Sequence, residues 1–183
     1  MALWLGVVLT AVAAIFLGAK VYDQHQREQA PVVGAGTDVG SGVVQAMDES
    51  PAGDQKRIAD VIEASTKFVN AFTNIDYKTA DSTIATVRSM TTGAFQTQYD
   101  KSVKGTKTLL QRLHATYRSE VVYAGYTTGD ADSASVVLAT QGTVSSDITH
   151  KQVTAHNNQI SVSLAKSGDR WLVNNVTFIG EGS

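Results

Sequence analysis

No cysteine occurs anywhere in the 183 residues, so neither a disulfide framework nor a thiolate metal site can exist in this chain. That absence does not locate the protein, since a well-packed core needs no disulfide on either side of a membrane. Proline is almost as scarce, with Pro31 and Pro51 the only two. An excess of charge is missing too: 15 basic side chains face 17 acidic ones. Without a basic excess, nothing in the composition points to a nucleic-acid partner. The chain also lacks a phosphate loop, a dinucleotide fingerprint, a Gly-x-Ser-x-Gly elbow and any internal repeat. Its four histidines are His25, His114, His150 and His156. None is four residues from another, as a helical zinc pair requires. His150 and His156 fall in a Thr- and Asn-rich stretch that reads as a solvated hairpin without carboxylate or thiolate partners, so no metal site is assigned.

What the chain does have is one long apolar run. Ala2 to Ala19, ALWLGVVLTAVAAIFLGA, carries no ionisable side chain and is followed at once by Lys20. As a helix it would be roughly 27 Å long, close to the hydrocarbon thickness of a bilayer. A cleaved secretion signal is the first alternative, but it wants a basic start and small residues before the cleavage point. Only the amino group of Met1 is basic there, and Leu17-Gly18-Ala19 puts Leu where a small residue is needed. Ala11-Val12-Ala13 satisfies the small-residue rule but leaves a very short apolar region. A buried soluble helix is the second alternative, and it would show a polar stripe, whereas this run has only Thr10. An uncleaved anchor over residues 1–22 is the expectation. Charge hardly orients it: Lys20 and Arg27 are offset by Asp23 and Glu28, leaving a slight lean toward a cytoplasmic domain.

Residues 23–53 read as a flexible Gly-rich tether, because Pro31 to Gly53 holds five glycines, both prolines and no aromatic residue. Such a stretch cannot bury enough apolar surface to offset its ordering entropy. Residues 54–183 read as one α+β domain. Asp54 or Ser50 caps a helix whose apolar face carries Ile58, Val61, Ile62, Phe68, Val69 and Phe72. A short helix follows from Thr79 to about Ser89, and Thr92 caps a third containing Phe95, Tyr99, Val103, Leu109, Leu110 and Leu113, with Gly105 weakening its middle. Past His114 the period changes from 3.6 toward 2. Val121 to Tyr126, Ala134 to Val144, Asn158 to Lys166 and Arg170 to Ile179 read as four antiparallel strands. The breaks at Gly129-Asp130-Ala131-Asp132 and Ser167-Gly168-Asp169 read as hairpin turns.

A cone of this class can hold an Asp in an apolar pocket, where desolvation raises its pKa and makes it a base. Asp76 and Asp81 flank the turn between the first two helices and Asp100 lies on the third, but such aspartates usually cap helices or sit in solvent. Trp171 reads as a core anchor and Arg170 as a surface charge. No catalytic, cofactor-binding or metal-ligating residue is assigned.

The run Phe72-Thr73-Asn74-Ile75-Asp76-Tyr77, then Asp81, then Met90-Thr91-Thr92-Gly93-Ala94-Phe95 with Tyr99, resembles the helical half of the actinobacterial Mce-associated membrane proteins. Tyr123-Ala124-Gly125, Ala131-Asp132-Ser133-Ala134, Val136-Val137-Leu138, Gln141 and Gly168-Asp169-Arg170-Trp171-Leu172-Val173 agree with the second half. The similarity spans about residues 58 to 179. It implies a domain like nuclear transport factor 2, with about three helices on a curved four-stranded sheet, held outside the plasma membrane by a single span. It further implies a non-enzymatic accessory subunit of an Mce lipid or sterol importer, with transporter subunits as partners, homo- or hetero-oligomers allowed, and no cofactor. Two other readings stay open: an assembly subunit of type IV secretion like the VirB8-type protein, and a carrier or enzyme using the cone as a pocket for a small hydrophobic ligand.

Overall fold

The computed structural model describes residues 52–179 apart from 149 and 152. The expected anchor and nearly all of the expected tether lie outside the described residues, and among the described residues no helix is long and apolar enough to cross a membrane.

Helix α1 (Ala52–Thr73) begins between the two candidate caps: Asp54 sits within its first turn, and Ser50 lies outside the described residues. There it meets the positive end of the helix and pairs with Arg57. The apolar positions follow the helical period, and Val61, Phe68 and Val69 are fully buried. Strand β1 (Ile75–Asp76) is a two-residue addition that the sequence pattern does not announce. Helices α2 (Ala80–Ser89) and α3 (Gly93–Arg112) follow. Thr92 is the residue before α3, as expected, but its side chain makes no capping bond. Its backbone N–H instead donates to the Val173 carbonyl. Gly105 does not break α3.

Strands β2 (Thr116–Gly129), β3 (Ser133–Ser145), β4 (Thr154–Ser167) and β5 (Arg170–Ile179) then form a meander. With β1 at its edge the sheet has five strands in the order β1-β2-β3-β4-β5, all neighbours antiparallel, where four were expected. Strand β1 is short because Asp76 turns the chain away at once: its carboxylate accepts the Lys78 N–H at 2.9 Å. Strands β2 and β4 also start earlier than expected, by five and four residues. His156 is therefore a strand residue opposite Gly142 and half-buried, not part of a solvated hairpin.

All three helices pack on one face of the curled sheet, the NTF2-like α+β arrangement that the resemblance implied. Val136, Leu138, Ile160, Val162 and Leu164 alternate onto that face and are 1% exposed or less. They meet Val61, Phe68 and Val69 of α1, Val87 of α2, and Trp171 and Val173 of β5 in one core. Trp171 is thus the core anchor expected of it. The Phe68 and Phe72 rings stack at 5.3 Å between centroids, with Phe95 edge-on at 6.1 Å to Phe68.

Two sets of bonds stitch the helices to the sheet. At the β2 edge, the Asn74 side chain acts as a substitute strand: its Oδ1 accepts the Ser119 N–H at 2.9 Å and its Nδ2 donates to the Ser119 carbonyl at 2.6 Å. The Thr73 and Ser119 hydroxyls lie 2.7 Å apart beside it. At the β5 edge, Val173 N–H donates to the Met90 carbonyl at 2.9 Å while Thr92 N–H donates to the Val173 carbonyl at 2.8 Å. Arg170 adds a 2.8 Å bond to the Ser89 carbonyl. These stitches use the Phe72–Tyr77, Met90–Phe95 and Gly168–Val173 runs on which the sequence resemblance rests.

Candidate interaction surfaces

The interior comes first, because a pocket enzyme or carrier would need one. None of the three aspartates singled out from sequence lies in an apolar cavity. Asp76 faces Arg118, 2.9 Å from its guanidinium. Its pKa is lowered, chiefly by the Lys78 N–H and then by Arg118, the reverse of the shift a desolvated base shows. Asp81 pairs with Lys107 and Asp100 with Arg88. The three therefore stay apart, each on a separate surface contact.

Two buried phenols have raised pKa values. Burial pushes Tyr99 up to about 12, helped by the neighbouring Asp100, and burial alone does the same to Tyr117. The Tyr117 hydroxyl has no hydrogen-bond partner, and neither has that of Thr140, which is 2% exposed. Both belong to the inner sheet face. Tyr117 opposes Val144, Val121 opposes Thr140, and Thr140 opposes Asn158. Beyond Leu138 this face changes character, from Val, Leu and Ile to Thr140, Gly142, His156 and Asn158. Sequence reasoning missed Tyr117, although Tyr117, Ser119 and Val121 alternating with Arg118 and Glu120 carry the strand signal that would have found it.

Of the histidines, His25 lies outside the described residues. His114 occupies a left-handed backbone conformation (φ 46°) at the α3–β2 corner. Its Nδ1 is 2.8 Å from the Asp147 carboxylate and its ring lies edge-on to Tyr77. Asp147 is held below the usual carboxylate range by that bond. His150, exposed, has φ 50° in the β3–β4 connection. Among the described residues no group of three His, Asp or Glu side chains could hold a metal ion.

Two hollows mark the described surface. One lies between the start of α1 and the two hairpin turns, lined by Lys56, Arg57, Asp60, Lys166, Asp169 and Trp171 among others. Its cations are already committed. Arg57 donates to the Tyr126 hydroxyl at 3.1 Å and the Asp130 carbonyl at 3.0 Å, Lys56 pairs with Asp60, and Lys166 lies over the Trp171 ring. The other lies along the outer face of α3, lined by Lys101, Lys104, Gly105, Thr108, Leu109 and Arg112. No ion pair among the described residues engages Lys101, Lys104 or Arg112.

With this geometry in view, comparison with solved structures identifies the fold. An IcmL-like type IV secretion system protein from Legionella pneumophila matches with TM-score 0.54 and 12% identity over 68% of this chain and 95% of its own. The VirB8 protein of Agrobacterium tumefaciens matches with TM-score 0.54 and 12% identity over 68% and 93%. The periplasmic domain of DotI matches with TM-score 0.54 and 8% identity over 66% and 93%. The domain shares its fold with these proteins. No family model matches the chain, and no curated protein matches it by sequence.

Proposed function

We propose that this protein is a non-catalytic, membrane-tethered assembly subunit of an envelope-spanning complex, with its α+β domain outside the plasma membrane. The observation that carries this reading is the shared fold. The likeness takes in 93% or more of three structures, one of them a type IV secretion protein and one a periplasmic domain. In this chain the same domain follows an 18-residue apolar run and a Gly-rich tether. A core closed by its own Phe, Leu, Ile and Val side chains supports a scaffold over a small-ligand carrier. So does the placing of Asp76, Asp81 and Asp100 in surface ion pairs.

The fold favours a VirB8-like role in a secretion or conjugation machine. A second reading, an accessory subunit of an Mce lipid importer, rests on the sequence motifs alone. The stitching described above tempers it, since the motif residues hold helices to sheet and could be shared wherever this fold needs the same bonds. Affinity purification of the full chain from native membranes separates the two. Secretion or conjugation subunits in the eluate support the first reading, and Mce or permease subunits support the second. A chain that elutes with neither set overturns the assembly role.

A further inference from the structure

Nine of the thirteen Lys and Arg side chains among the described residues have a partner, and one of the other four, Lys151, stands apart in the β3–β4 connection. On α1, Lys56 pairs with Asp60, Arg57 with Asp54 and Lys67 with Glu63. Elsewhere Arg88 pairs with Asp100, Lys107 with Asp81 and Arg118 with Asp76. Lys78 and Lys166 lie over aromatic rings, and Arg170 bonds to a carbonyl. Three cations without such a partner stand together on α3. Lys101, Lys104 and Arg112 are exposed and line one hollow with Gly105, Thr108 and Leu109. Steps of three, four and four residues from Lys101 through Lys104 and Thr108 to Arg112 keep to one side of the helix, so these form a stripe about 16 Å long with two cations at one end and one at the other. Both acids near it are spent, Asp100 on Arg88 and Asp81 on Lys107. Gly105 leaves a notch in the middle of the stripe, where an added Cβ would meet nothing within 4 Å. Leu109 supplies an apolar contact beside it.

We propose that this face of α3 docks on the anionic headgroups of the membrane that holds the chain. The inference rests on residues 2–19 being a membrane span. Charge complementarity selects the ligand: three uncompensated cations on one face of α3, in a chain of net charge −2, suit a sheet of phosphates. The length of chain before α1 selects the source. If the 21 residues from Pro31 to Pro51 act as the flexible tether their composition predicts, their reach is roughly 23–27 Å, which keeps the domain close to the bilayer surface. Each cation near an anionic surface strengthens attachment roughly fivefold, and the three together by on the order of 100-fold at low salt. The docked state lays α3 against the lipid and turns the outer sheet face toward solvent and partners.

The absence of cysteine makes the test clean, because one introduced thiol is the only label site. The full chain carrying Gln111→Cys on α3, or Gln159→Cys on the outer sheet face, is labelled with a fluorophore. It is then placed in nanodiscs of phosphatidylcholine alone or with phosphatidylglycerol, containing a headgroup quencher. Docking predicts stronger quenching at position 111 when phosphatidylglycerol is present. The gain should be lost in high salt and in the variant K101Q/K104Q/R112Q, with position 159 unaffected. Equal quenching at the two positions, or at 111 in both lipids, overturns the proposal. So does quenching at 111 that only an added acidic polypeptide alters, which would assign the stripe to a protein partner. A chain that fails to enter nanodiscs refutes the membrane span instead. Docking is then decided by flotation with preformed vesicles: binding to phosphatidylglycerol vesicles alone upholds it, and no binding ends it.

Discussion

The two ends of the inner sheet face are built on different chemistry. From Ala134 to Leu138 and from Ile160 to Leu164 every inward residue is apolar and buried, and α1 closes over them with Val61, Phe68 and Val69. From Thr140 to Val144 and back through His156 and Asn158, the same two strands present a hydroxyl, a glycine, an imidazole and an amide. Cohesion at the first end comes from area removed from water. At the second it comes from directed bonds, with Asn74 spanning both backbone groups of Ser119, while Tyr117 and Thr140 bury hydroxyls that bond to nothing. One end of a sheet can therefore hold the fold together while the other carries uncompensated polar groups, as long as the strands run continuously between them.

The largest expected effect tests the apolar end. Leu138→Ala or Ile160→Ala should cost about 2–5 kcal/mol in urea unfolding of the described domain, because both side chains are fully buried among well-packed neighbours. A loss under 1 kcal/mol would erase the contrast. Next comes the stitch at the polar end: Asn74→Ala strands the Ser119 N–H and carbonyl, and should cost about 1–3 kcal/mol by the same measurement. Smaller and opposite in sign are Tyr117→Phe and Thr140→Val. Each deletes an unbonded buried hydroxyl and should leave the domain unchanged or raise its stability by about 1 kcal/mol. A clear loss on either would mean that the hydroxyl is satisfied in solution.

The smallest effect is that of pH. Asp76, Asp130 and Asp147 are each held below the ordinary value of 3.8: Asp76 chiefly by the Lys78 N–H, Asp130 by the Asp132 and Ser133 N–H groups, and Asp147 by His114. A depressed folded-state pKa means that the unfolded chain binds more protons. The stabilisation is present above about pH 4 and fades as pH falls through the lowered values. Thermal unfolding from pH 6 down to pH 2 should show Tm falling mainly below pH 4, and less steeply in Asp130→Asn.

Much of the fold was readable because its signals are periodic. Val61, Phe68, Val69 and Phe72 recur at helical spacing, and Ile160, Val162 and Leu164 alternate with Ser161, Ser163 and Ala165, so helix and strand separate cleanly. Asp130 and Gly168 mark the two hairpin turns through turn chemistry, the first accepting two backbone N–H groups and the second at φ 59°. Strand β1 was invisible because two residues carry no period, and their pairing depends on Tyr117 and Thr116, some forty positions later. The surface stripe on α3 was hidden for a related reason. Lys101, Lys104 and Arg112 look like any solvated helix face until the structure shows which acids are already spent elsewhere. The carboxylates were weighed one at a time in sequence, whereas their partners Arg88, Lys107 and Arg118 come from other elements.

The grip of Arg57 on the sheet has a mechanical side. On the proposed membrane-tethered reading, the domain is pulled through its first described residues, which begin a helix that unwinds readily when drawn from its end. One turn in, the Arg57 guanidinium holds the Tyr126 hydroxyl and the Asp130 carbonyl, so tension passes from α1 into the β2–β3 hairpin before it reaches the rest of the helix. Four hydrogen-bonded strands then share the load. Under traction the domain should yield at its first turn and stop there, with everything from Arg57 onward still folded.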